Sequence, residues 1–200
     1  MSDRSYLVAG LGNIGAEYAD TRHNIGFMVL DAWAQASNIA FESMRYGSVA
    51  VDSVKGRKFH LLKPSTYMNL SGNAVRYWLQ ELEIPLENLI VVCDDINLPF
   101  GTIRMRMSGS DGGHNGLWTI EELLETRQYA RIRLGVGHEF SEGGQINFVL
   151  GSFSQEQREE VERLAARVIS GIKTWALVGP QKAMTELNTK PVITAETPSQ

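Results

Sequence analysis

The chain contains 200 residues, of which 43% are hydrophobic and 21% are charged. These proportions are typical of a globular protein and exclude a chain that is largely disordered, collagen-like or a long coiled coil. The length fits one domain of ordinary size, so we expect a single core. The 19 basic and 23 acidic residues give a net charge of −4, which has the wrong sign for a protein that coats nucleic acid without specificity. Any contact with nucleic acid must therefore be local.

Cysteine content and the first residues bear on the cellular compartment. The single cysteine, Cys93, excludes an intramolecular disulfide framework and any site with several cysteine ligands, and it agrees with a reducing compartment. Residues 1–10 contain no apolar run long enough for a signal peptide, and no stretch approaches the roughly 18 apolar residues of a membrane span. We therefore expect a cytoplasmic protein with no membrane partner.

The first part of the chain alternates between strand and helix patterns. Residues 6–9 form an apolar run that leads into the glycine-rich residues 10–15, which predicts a buried strand ending in a tight loop. Apolar residues then recur at helical spacing over residues 25–36. Two β-prone runs, residues 47–54 and 58–62, flank a glycine turn and predict an antiparallel hairpin.

The middle of the chain continues this alternation. Ser71 is placed to cap a helix whose apolar stripe ends before Pro85. Residues 89–93 are continuously apolar, as in a central strand buried on both faces, and the run ends at Asp94 and Asp95. The next segments predict a strand, a glycine-rich loop, a helix and a strand, at residues 102–107, 108–113, 117–124 and 130–136.

The last part of the chain contains a polar loop, a long helix and a tail. Residues 137–145 carry two adjacent glycines and little apolar content, which predicts a mobile surface loop that could act as a lid. Ser154 and Gln157 form a capping box before a long apolar stripe that stops before residue 180. Residues 189–200 are predicted to be a disordered tail.

This order of elements predicts an α/β fold with a single domain over residues 1–188. Alternating strands and helices favour a mixed, mostly parallel sheet with helices on both faces, interrupted by the hairpin. The sequence shows no internal repeat.

A glycine motif in the first loop suggests a nucleotide cofactor. Gly10, Gly12 and Gly15 match the G-x-G-x-x-G pattern, in which dinucleotide phosphates rest on a helix N-terminus. That fingerprint needs a helix that opens inside the motif, whereas the apolar stripe begins only at residue 25. Asp31, the acid at a suitable distance, falls within that helix. The context therefore argues against a nucleotide cofactor.

One histidine and one acidic pair are candidates for acid–base chemistry. His23 precedes the first helix and is, by itself, more simply explained as a surface residue at a helix start. Asp94 and Asp95 end the most apolar strand, and sites in alternating α/β sheets are built at the carboxyl ends of strands. An acid there can orient a histidine, cap the following loop or bind magnesium. Because no further ligand set accompanies the pair, the metal is the weakest of these three interpretations.

Three asparagines and a glycine-rich junction add polar groups at loop edges. Asn13, Asn69 and Asn115 can each be ordinary turn residues, but their coincidence suggests a site. Residues 112–116 combine backbone freedom with two polar side chains at the start of a helix, where side chains and backbone N–H groups can stabilise a developing negative charge. No serine lies in a G-x-S-x-G motif, and Cys93 lies within an apolar strand, so covalent catalysis is disfavoured.

Arginines occur in pairs on two predicted strands. Arg104 and Arg106 lie two residues apart on one strand, and Arg131 and Arg133 lie two apart on another, so each pair projects from one face. Such pairs suit a phosphate. They can equally serve solubility, since glutamates on the neighbouring helix offset their charge.

Blocks of sequence along almost the whole chain match one known family. They are Gly10-Leu-Gly-Asn-Ile-Gly, Tyr18, Thr21-Arg-His-Asn, Lys63-Pro-Ser-Thr-Tyr-Met-Asn-Leu-Ser-Gly72, Asp94-Asp, Leu98-Pro, Gly112-Gly-His-Asn-Gly-Leu117, Arg131-Ile-Arg-Leu-Gly and Phe148-Val-Leu-Gly151. In these motifs the sequence strongly resembles bacterial peptidyl-tRNA hydrolases. The resemblance implies a monomeric α/β enzyme that cleaves the ester between a peptide and the terminal ribose of tRNA, and so recycles tRNA from chains that the ribosome drops.

The resemblance also implies roles for individual residues. His23 matches the family's essential histidine, Asp94 the acid that stabilises it, and Asn13 the residue that distinguishes blocked from free aminoacyl ends. Arg106 and Arg133 match basic positions that clamp the 5′ phosphate of tRNA. Contacts with the CCA end and the peptide are implied for Tyr18, Tyr67, Met68, Asn69 and Asn115.

Three positions depart from the family pattern. Ile14 replaces a common proline, Asp111 interrupts a glycine-rich run, and Glu142 stands where some members carry a basic residue. These departures bear on loop stiffness and on contacts of the lid, not on the chemistry.

The chemistry expected of these residues is direct attack by water. Ester hydrolysis requires a base for water and donors for the oxyanion, but neither a metal nor a cofactor. We expect His23 to take the water proton, Asp94 to hold its tautomer, and the region of Asn115 and Asn13 to position water or stabilise the tetrahedral oxygen. Two alternatives stay open: a non-catalytic RNA-binding relative on the same fold, and a nucleotide-dependent dehydrogenase that rests on the glycine loop alone.

Overall fold

Residues 4–188 are described by a computed structural model, and they form one sheet between two layers of helices. The strands are β1 (Ser5–Gly10), β2 (Glu42–Met44), β3 (Gly47–Val54), β4 (Arg57–Pro64), β5 (Leu89–Asp95), β6 (Ile103–Arg106) and β7 (Ala130–Gly135). The helices are α1 (Ile25–Ala36), α2 (Ser71–Glu81), α3 (Asn115–Leu124), α4 (Gln145–Val149), α5 (Gln155–Leu177) and α6 (Pro180–Asn188).

The sheet has seven strands in the order β2-β3-β4-β1-β5-β7-β6. The central strands β4, β1, β5 and β7 are parallel, whereas β3 pairs antiparallel with β2 and β4, and β6 pairs antiparallel with β7. The predicted mixed sheet is therefore confirmed, and so is the hairpin, in which Val54 lies opposite Arg57.

Each face of the sheet carries its own apolar core. Ile90 and Val92 of β5 pack into the core formed with α1, α5 and α6, while Val91 and Cys93 pack into the core formed with α2 and α3. The prediction of helices on both faces is thus confirmed. Burial raises the pKa of the Cys93 thiol, which agrees with an inert core cysteine.

Several elements differ from the sequence expectations. Ser71 does not act as the helix cap, because it is the first residue of α2 and its hydroxyl donates to the Met68 carbonyl at 2.7 Å. The helix predicted over residues 117–124 begins earlier, at Asn115. β2, α4 and α6, which contain three, five and nine residues, were not predicted. The predicted tail, residues 189–200, lies outside the described residues.

The capping box predicted at the start of α5 is present. The Ser154 hydroxyl accepts from the Gln157 N–H, and the Gln157 side chain accepts from the Ser154 N–H. Within residues 4–188, no helix combines the length and apolarity needed to cross a membrane.

The N-terminus of α1 approaches the ends of β1 and β5 so closely that only glycine fits. A Cβ at Gly26 would lie 2.5 Å from both the Leu11 nitrogen and the Val92 carbonyl oxygen. Backbone atoms cannot rotate away as a flexible side chain does, so this contact fixes the start of α1, and with it the turn that precedes α1, against the sheet.

We expect Gly26→Ala to destabilise the protein by about 2 kcal/mol or more, because the added methyl group must displace α1 from the sheet. Urea unfolding monitored by circular dichroism measures this change. Gln35→Ala, at an exposed position of the same helix, is the control and should stay within about 0.5 kcal/mol of wild type. Equal stability of Gly26→Ala and the control would show that the helix can shift without cost.

Candidate active site

A pocket of about 320 Å³ opens at the carboxyl ends of β1 and β5, beside the start of α3. This is the edge of the sheet at which α/β proteins build their sites. Most of the residues predicted to form the site line this pocket, namely Asn13, His23, Tyr67, Met68, Asn69, Asp94, Asn115 and Arg133. Among the described residues, Tyr18 and Arg106 are not part of the lining.

The turn before α1 places His23 directly over the end of β5. His23 Nδ1 lies 2.9 Å from both carboxylate oxygens of Asp94. Asp94 is only 3% exposed, so its charge is removed from water and depends on these neighbours. The structure therefore brings together the two residues that the sequence proposed as base and orienting acid.

The environment shifts the pKa of both groups. Burial lowers the pKa of His23, but the charge and the hydrogen bond of Asp94 more than offset burial and raise that pKa above 6.5. Burial by itself would raise the pKa of Asp94, yet His23 and His114 hold it well below its usual range. The two histidines thus favour the anionic form of Asp94, and that anion in turn favours protonated His23.

His114, one of the two polar side chains noted at the start of α3, has partners that its place in the sequence does not indicate. Its Nδ1 accepts from the N–H groups of Gly116 at 3.1 Å and Leu117 at 3.3 Å, so it caps the N-terminus of α3. A ring nitrogen that accepts such bonds carries no proton. The proton of His114 therefore lies on Nε2, which donates to Asp94 Oδ1 at 2.8 Å.

This arrangement also sets the tautomer of His23. Asp94 accepts from His114 Nε2 and from His23 Nδ1, so the Nε2 of neutral His23 carries the lone pair and can accept a proton in the pocket. His114 Nδ1 also occupies the N–H groups of Gly116 and Leu117, so these two donors at the start of α3 are not free for a negative charge on a substrate.

Asn13 is held by a second buried asparagine that the sequence analysis did not single out. Asn24, 1% exposed, accepts from the Asn13 N–H and donates to the Asn13 carbonyl, both at 2.9 Å. The side-chain oxygen of Asn13 accepts from the Met68 N–H at 2.8 Å. The Nδ2 group of Asn13 is then the part of its amide left to donate into the pocket.

The predicted substrate contacts differ in exposure. Tyr67 is 58% exposed at the edge of the pocket, whereas Met68 is buried in its wall. Asn69 and Asn115 are exposed and line the pocket. Tyr18 lies in a short turn before His23, where its carbonyl accepts from the Thr21 hydroxyl at 2.8 Å.

The four arginines lie on one face of the β6–β7 pair, because Arg104 is opposite Arg133 and Arg106 is opposite Arg131. Arg131 is 1% exposed and lies 3.1 Å from the Glu121 carboxylate, so it holds α3 on the sheet and does not serve solubility.

Arg106 and Arg133 differ in their surroundings. Arg106 is exposed, and its contact within the described chain is with the Met105 carbonyl at 3.0 Å. Arg133 lines the pocket, donates to the Ser110 carbonyl and lies 3.8 Å from Asp95.

His23, Asp94 and His114 also form a group that could hold a metal ion, because their ligand atoms lie within 4.8 Å of one another. However, Nδ1 of His23 and Nε2 of His114 both donate a proton to Asp94, and a metal ion would have to displace these protons. The geometry favours a hydrogen-bonded triad over a metal centre.

The glycine loop does not form a dinucleotide site. A Cβ at Gly10 would lie 2.4 Å from the Gly26 carbonyl, and one at Gly12 would lie 2.8 Å from the Phe27 ring. These glycines therefore serve the packing of α1 on β1, and α1 opens only at Ile25, beyond the motif.

Comparison with known proteins identifies the family. A family model described as "Peptidyl-tRNA hydrolase" matches residues 7–195. The chain belongs to the peptidyl-tRNA hydrolase family. The peptidyl-tRNA hydrolase of Phocaeicola vulgatus is 56% identical over 185 residues, which cover 92% of this chain and 99% of that protein. That of Desulfitobacterium hafniense is 40% identical over 182 residues, which cover 91% and 98%.

Solved structures agree with this assignment. The crystal structure of peptidyl-tRNA hydrolase from Acinetobacter baumannii is 31% identical, with a TM-score of 0.87, and the match covers 94% of this chain and 96% of that one. The resemblance inferred from the motifs and the α/β single-domain fold are both confirmed.

We expect Asp94→Asn to lower the pKa of His23, because an amide removes the negative charge that favours the imidazolium. An NMR titration of the ring Cε1–H signals measures this shift, with His138 in the surface loop as the internal control. Asp95→Asn is the matched control variant and should leave the pKa of His23 unchanged. An unchanged titration in Asp94→Asn would contradict the coupling of the two residues.

Proposed function

We propose that this protein hydrolyses the ester that joins a peptide, or an N-blocked aminoacyl group, to the terminal ribose of tRNA. The observation that carries the proposal is His23, whose Nδ1 is bonded to a buried carboxylate and whose Nε2 is left to act as a base in the pocket of a member of this family. In this role the protein would recycle tRNA from chains released early in translation, as a cytoplasmic monomer that rescues stalled or aborted synthesis.

In the proposed mechanism, a water molecule attacks the ester carbonyl directly. Nε2 of His23 accepts the water proton, and Asp94 stabilises the imidazolium that forms. Three further hydrogen bonds, from His114 to Asp94 and from the N–H groups of Gly116 and Leu117 to His114, keep Asp94 and His114 aligned while the charge on His23 changes. No protein nucleophile is required, and no step uses a metal or cofactor.

The oxyanion would be stabilised by side-chain amides. His114 occupies the N–H groups of Gly116 and Leu117, and the pocket wall offers the Nδ2 group of Asn13 and the exposed side-chain amide of Asn115. Amide donors of this kind typically contribute about 3 kcal/mol to transition-state stabilisation.

The substrate residues would divide between the two parts of peptidyl-tRNA. Tyr67 offers an exposed ring at the pocket edge, which suits stacking against a base of the CCA end, and Asn69 lies beside it. Met68 forms an apolar wall. Tyr18, outside the lining, would contact only a substrate that extends beyond the pocket.

Two of the departures from the family pattern have a structural counterpart. Asp111 Oδ1 accepts from the Gly113 N–H at 2.7 Å, so this aspartate stiffens the loop that leads to His114. Ile14 is 40% exposed in the first loop. The Asp111 contact does not involve His23 or Asp94.

Release of peptide from N-acetyl-aminoacyl-tRNA separates this enzyme from a non-catalytic RNA-binding relative. Wild type should hydrolyse the ester, and His23→Ala should lose on the order of 10²- to 10⁴-fold in rate while staying folded, since general-base catalysis contributes that much. His60→Asn, at a histidine on β4 outside the described pocket lining, is the control and should be active.

Two outcomes of this assay would contradict the proposal. Near-normal turnover by folded His23→Ala would exclude the mechanism, and binding of tRNA without hydrolysis by wild type would favour the RNA-binding relative. Activity that EDTA abolishes and added metal restores would show that the triad of His23, Asp94 and His114 holds an ion.

Arg106 and Arg133 are proposed to clamp the 5′ phosphate of tRNA, which the net charge of −4 would otherwise not attract. Arg106→Ala should raise KM for full tRNA and flatten the salt dependence, but leave a short substrate with only the CCA end almost unchanged. Arg133→Ala should also affect the short substrate, because Arg133 braces the loop at Ser110.

The control for the clamp is Arg163→Ala, an exposed arginine on α5 paired with Glu160. Equal losses on both substrates in Arg106→Ala would contradict the clamp. The phosphate contact would then have to be sought on α5 or α6, at Lys173 or Lys182.

A further inference from the structure

A continuous stack of side chains connects the loop over residues 137–144 with the turn of the catalytic histidine. The rings of His138 and Phe140 lie 4.1 Å apart between centroids, and those of Phe140 and Phe148 lie 5.1 Å apart. The guanidinium of Arg22, next to His23 in the chain, lies 4.4 Å from the centroid of the Phe148 ring.

Arg22 contacts the same segment through hydrogen bonds as well. Its Nη1 donates to the Phe148 carbonyl at 3.1 Å, near the C-terminal end of α4, where a cation is favoured. Its backbone N–H donates to the Gly151 carbonyl at 3.0 Å. Thr21, one residue before, forms a bridge with Ser152. The turn of His23 and the segment after α4 are therefore joined along their backbones and through one side chain.

α4 forms one wall of the pocket but cannot stay in place by itself. Its residues Gln145, Ile146 and Val149 line the pocket, and Leu150 follows them. None of the described residues within α4 is buried, and a helix of five residues is far too short to be stable in isolation. Something outside the helix must hold it opposite His23.

The surroundings of Arg22 fit it closely. A Cβ at Gly151 would lie 2.7 Å from Arg22 Nη1, so glycine is needed there for the guanidinium to reach the Phe148 carbonyl. Arg22 Nε is buried and has no partner among the described residues. A buried unpaired donor costs about 1–3 kcal/mol, so the contacts of this arginine with Phe148 must compensate for that cost.

We infer that Arg22 is a positioning residue that holds α4 as the pocket wall at a fixed distance from His23. The inference rests on the proposed function, because its effect is read in ester hydrolysis. Arg22 itself need not touch the substrate, because its guanidinium contacts the ring and the carbonyl of Phe148 and Arg22 is not part of the described pocket lining. A wall that shifts by about 1 Å misplaces the ester relative to Nε2 of His23, and such shifts can cost about 100-fold in rate.

The test compares Arg22→Met, Phe148→Leu and the double variant in hydrolysis of N-acetyl-aminoacyl-tRNA. Each single variant should lose on the order of 10-fold to 100-fold in kcat/KM. The double variant should fall little further than Arg22→Met, because Arg22→Met already removes the ring contact that Phe148→Leu removes, together with the hydrogen bond to the Phe148 carbonyl. Arg163→Met, which alters an exposed arginine on α5, should match wild type.

Two readouts separate positioning from a purely structural role. The loss in Arg22→Met should be the same for full tRNA and for a short CCA-end substrate, since Arg22 lies at the ester end. Hydrogen exchange should become faster in residues 145–151, while β5 keeps its protection. Arg22→Lys keeps the positive charge, but an ammonium group lacks the planar shape needed to stack on the Phe148 ring while it donates to the Phe148 carbonyl. Arg22→Lys should therefore be more active than Arg22→Met but less active than wild type.

The inference would be overturned if both single variants kept the kcat/KM and the hydrogen-exchange rates of wild type. It would also be overturned if the loss of kcat/KM in the double variant equalled the product of the two single losses. If the wild-type protein releases no peptide, the proposed function fails instead. The exchange experiment then still decides whether Arg22 holds α4.

Discussion

The site depends on one buried carboxylate. Removing a charge from water costs several kcal/mol, and Asp94 at the end of β5 is stable as an anion only because two imidazoles bond to it. His23 comes from the turn before α1 and His114 from the cap of α3, and these helices lie on opposite faces of the sheet. The carboxylate thus joins the two layers at the edge where the pocket opens.

Close contacts at glycines allow α1 and α3 to converge on Asp94. The same contacts explain the glycine motif of residues 10–15, for which the sequence offered two interpretations. Gly10 approaches the Gly26 carbonyl, and Gly116 approaches the Met68 sulfur, where a Cβ would lie 2.7 Å away. A glycine required for packing and one required for phosphate binding look alike in a sequence. The position of the helix start, beyond the motif, was the signal that separated them.

Helices and strands with a clear hydrophobic period could be predicted from the sequence, and so could the polar residues at strand ends and helix starts. The stripe of α1, the hairpin and the burial of β5 follow from local patterns, whereas the pairing of His23 with Asp94, 71 residues away, was implied by the family resemblance. The role of His114 depends on a cap and a bond to a residue 20 positions away, and no local pattern encodes that bond. The spacing of Arg131 and Arg133 in the sequence does not distinguish the two arginines. Arg131 is buried because α3 packs over it and supplies Glu121 as its partner.

The use of His114 as a helix cap has a consequence for the rest of the site. Because it occupies the N–H groups of Gly116 and Leu117, those two donors are not free for the oxyanion of the proposed mechanism, whereas the pocket offers asparagine amides. A lysine or arginine in that position would bind the oxyanion more strongly, but its charge would lower the pKa of His23 and oppose the effect of Asp94. Arg133, the arginine in the described pocket lining, lies beside Asp95, which offsets its charge. In the proposed mechanism, neutral donors therefore let Asp94 set the basicity of His23 while the transition state is still stabilised.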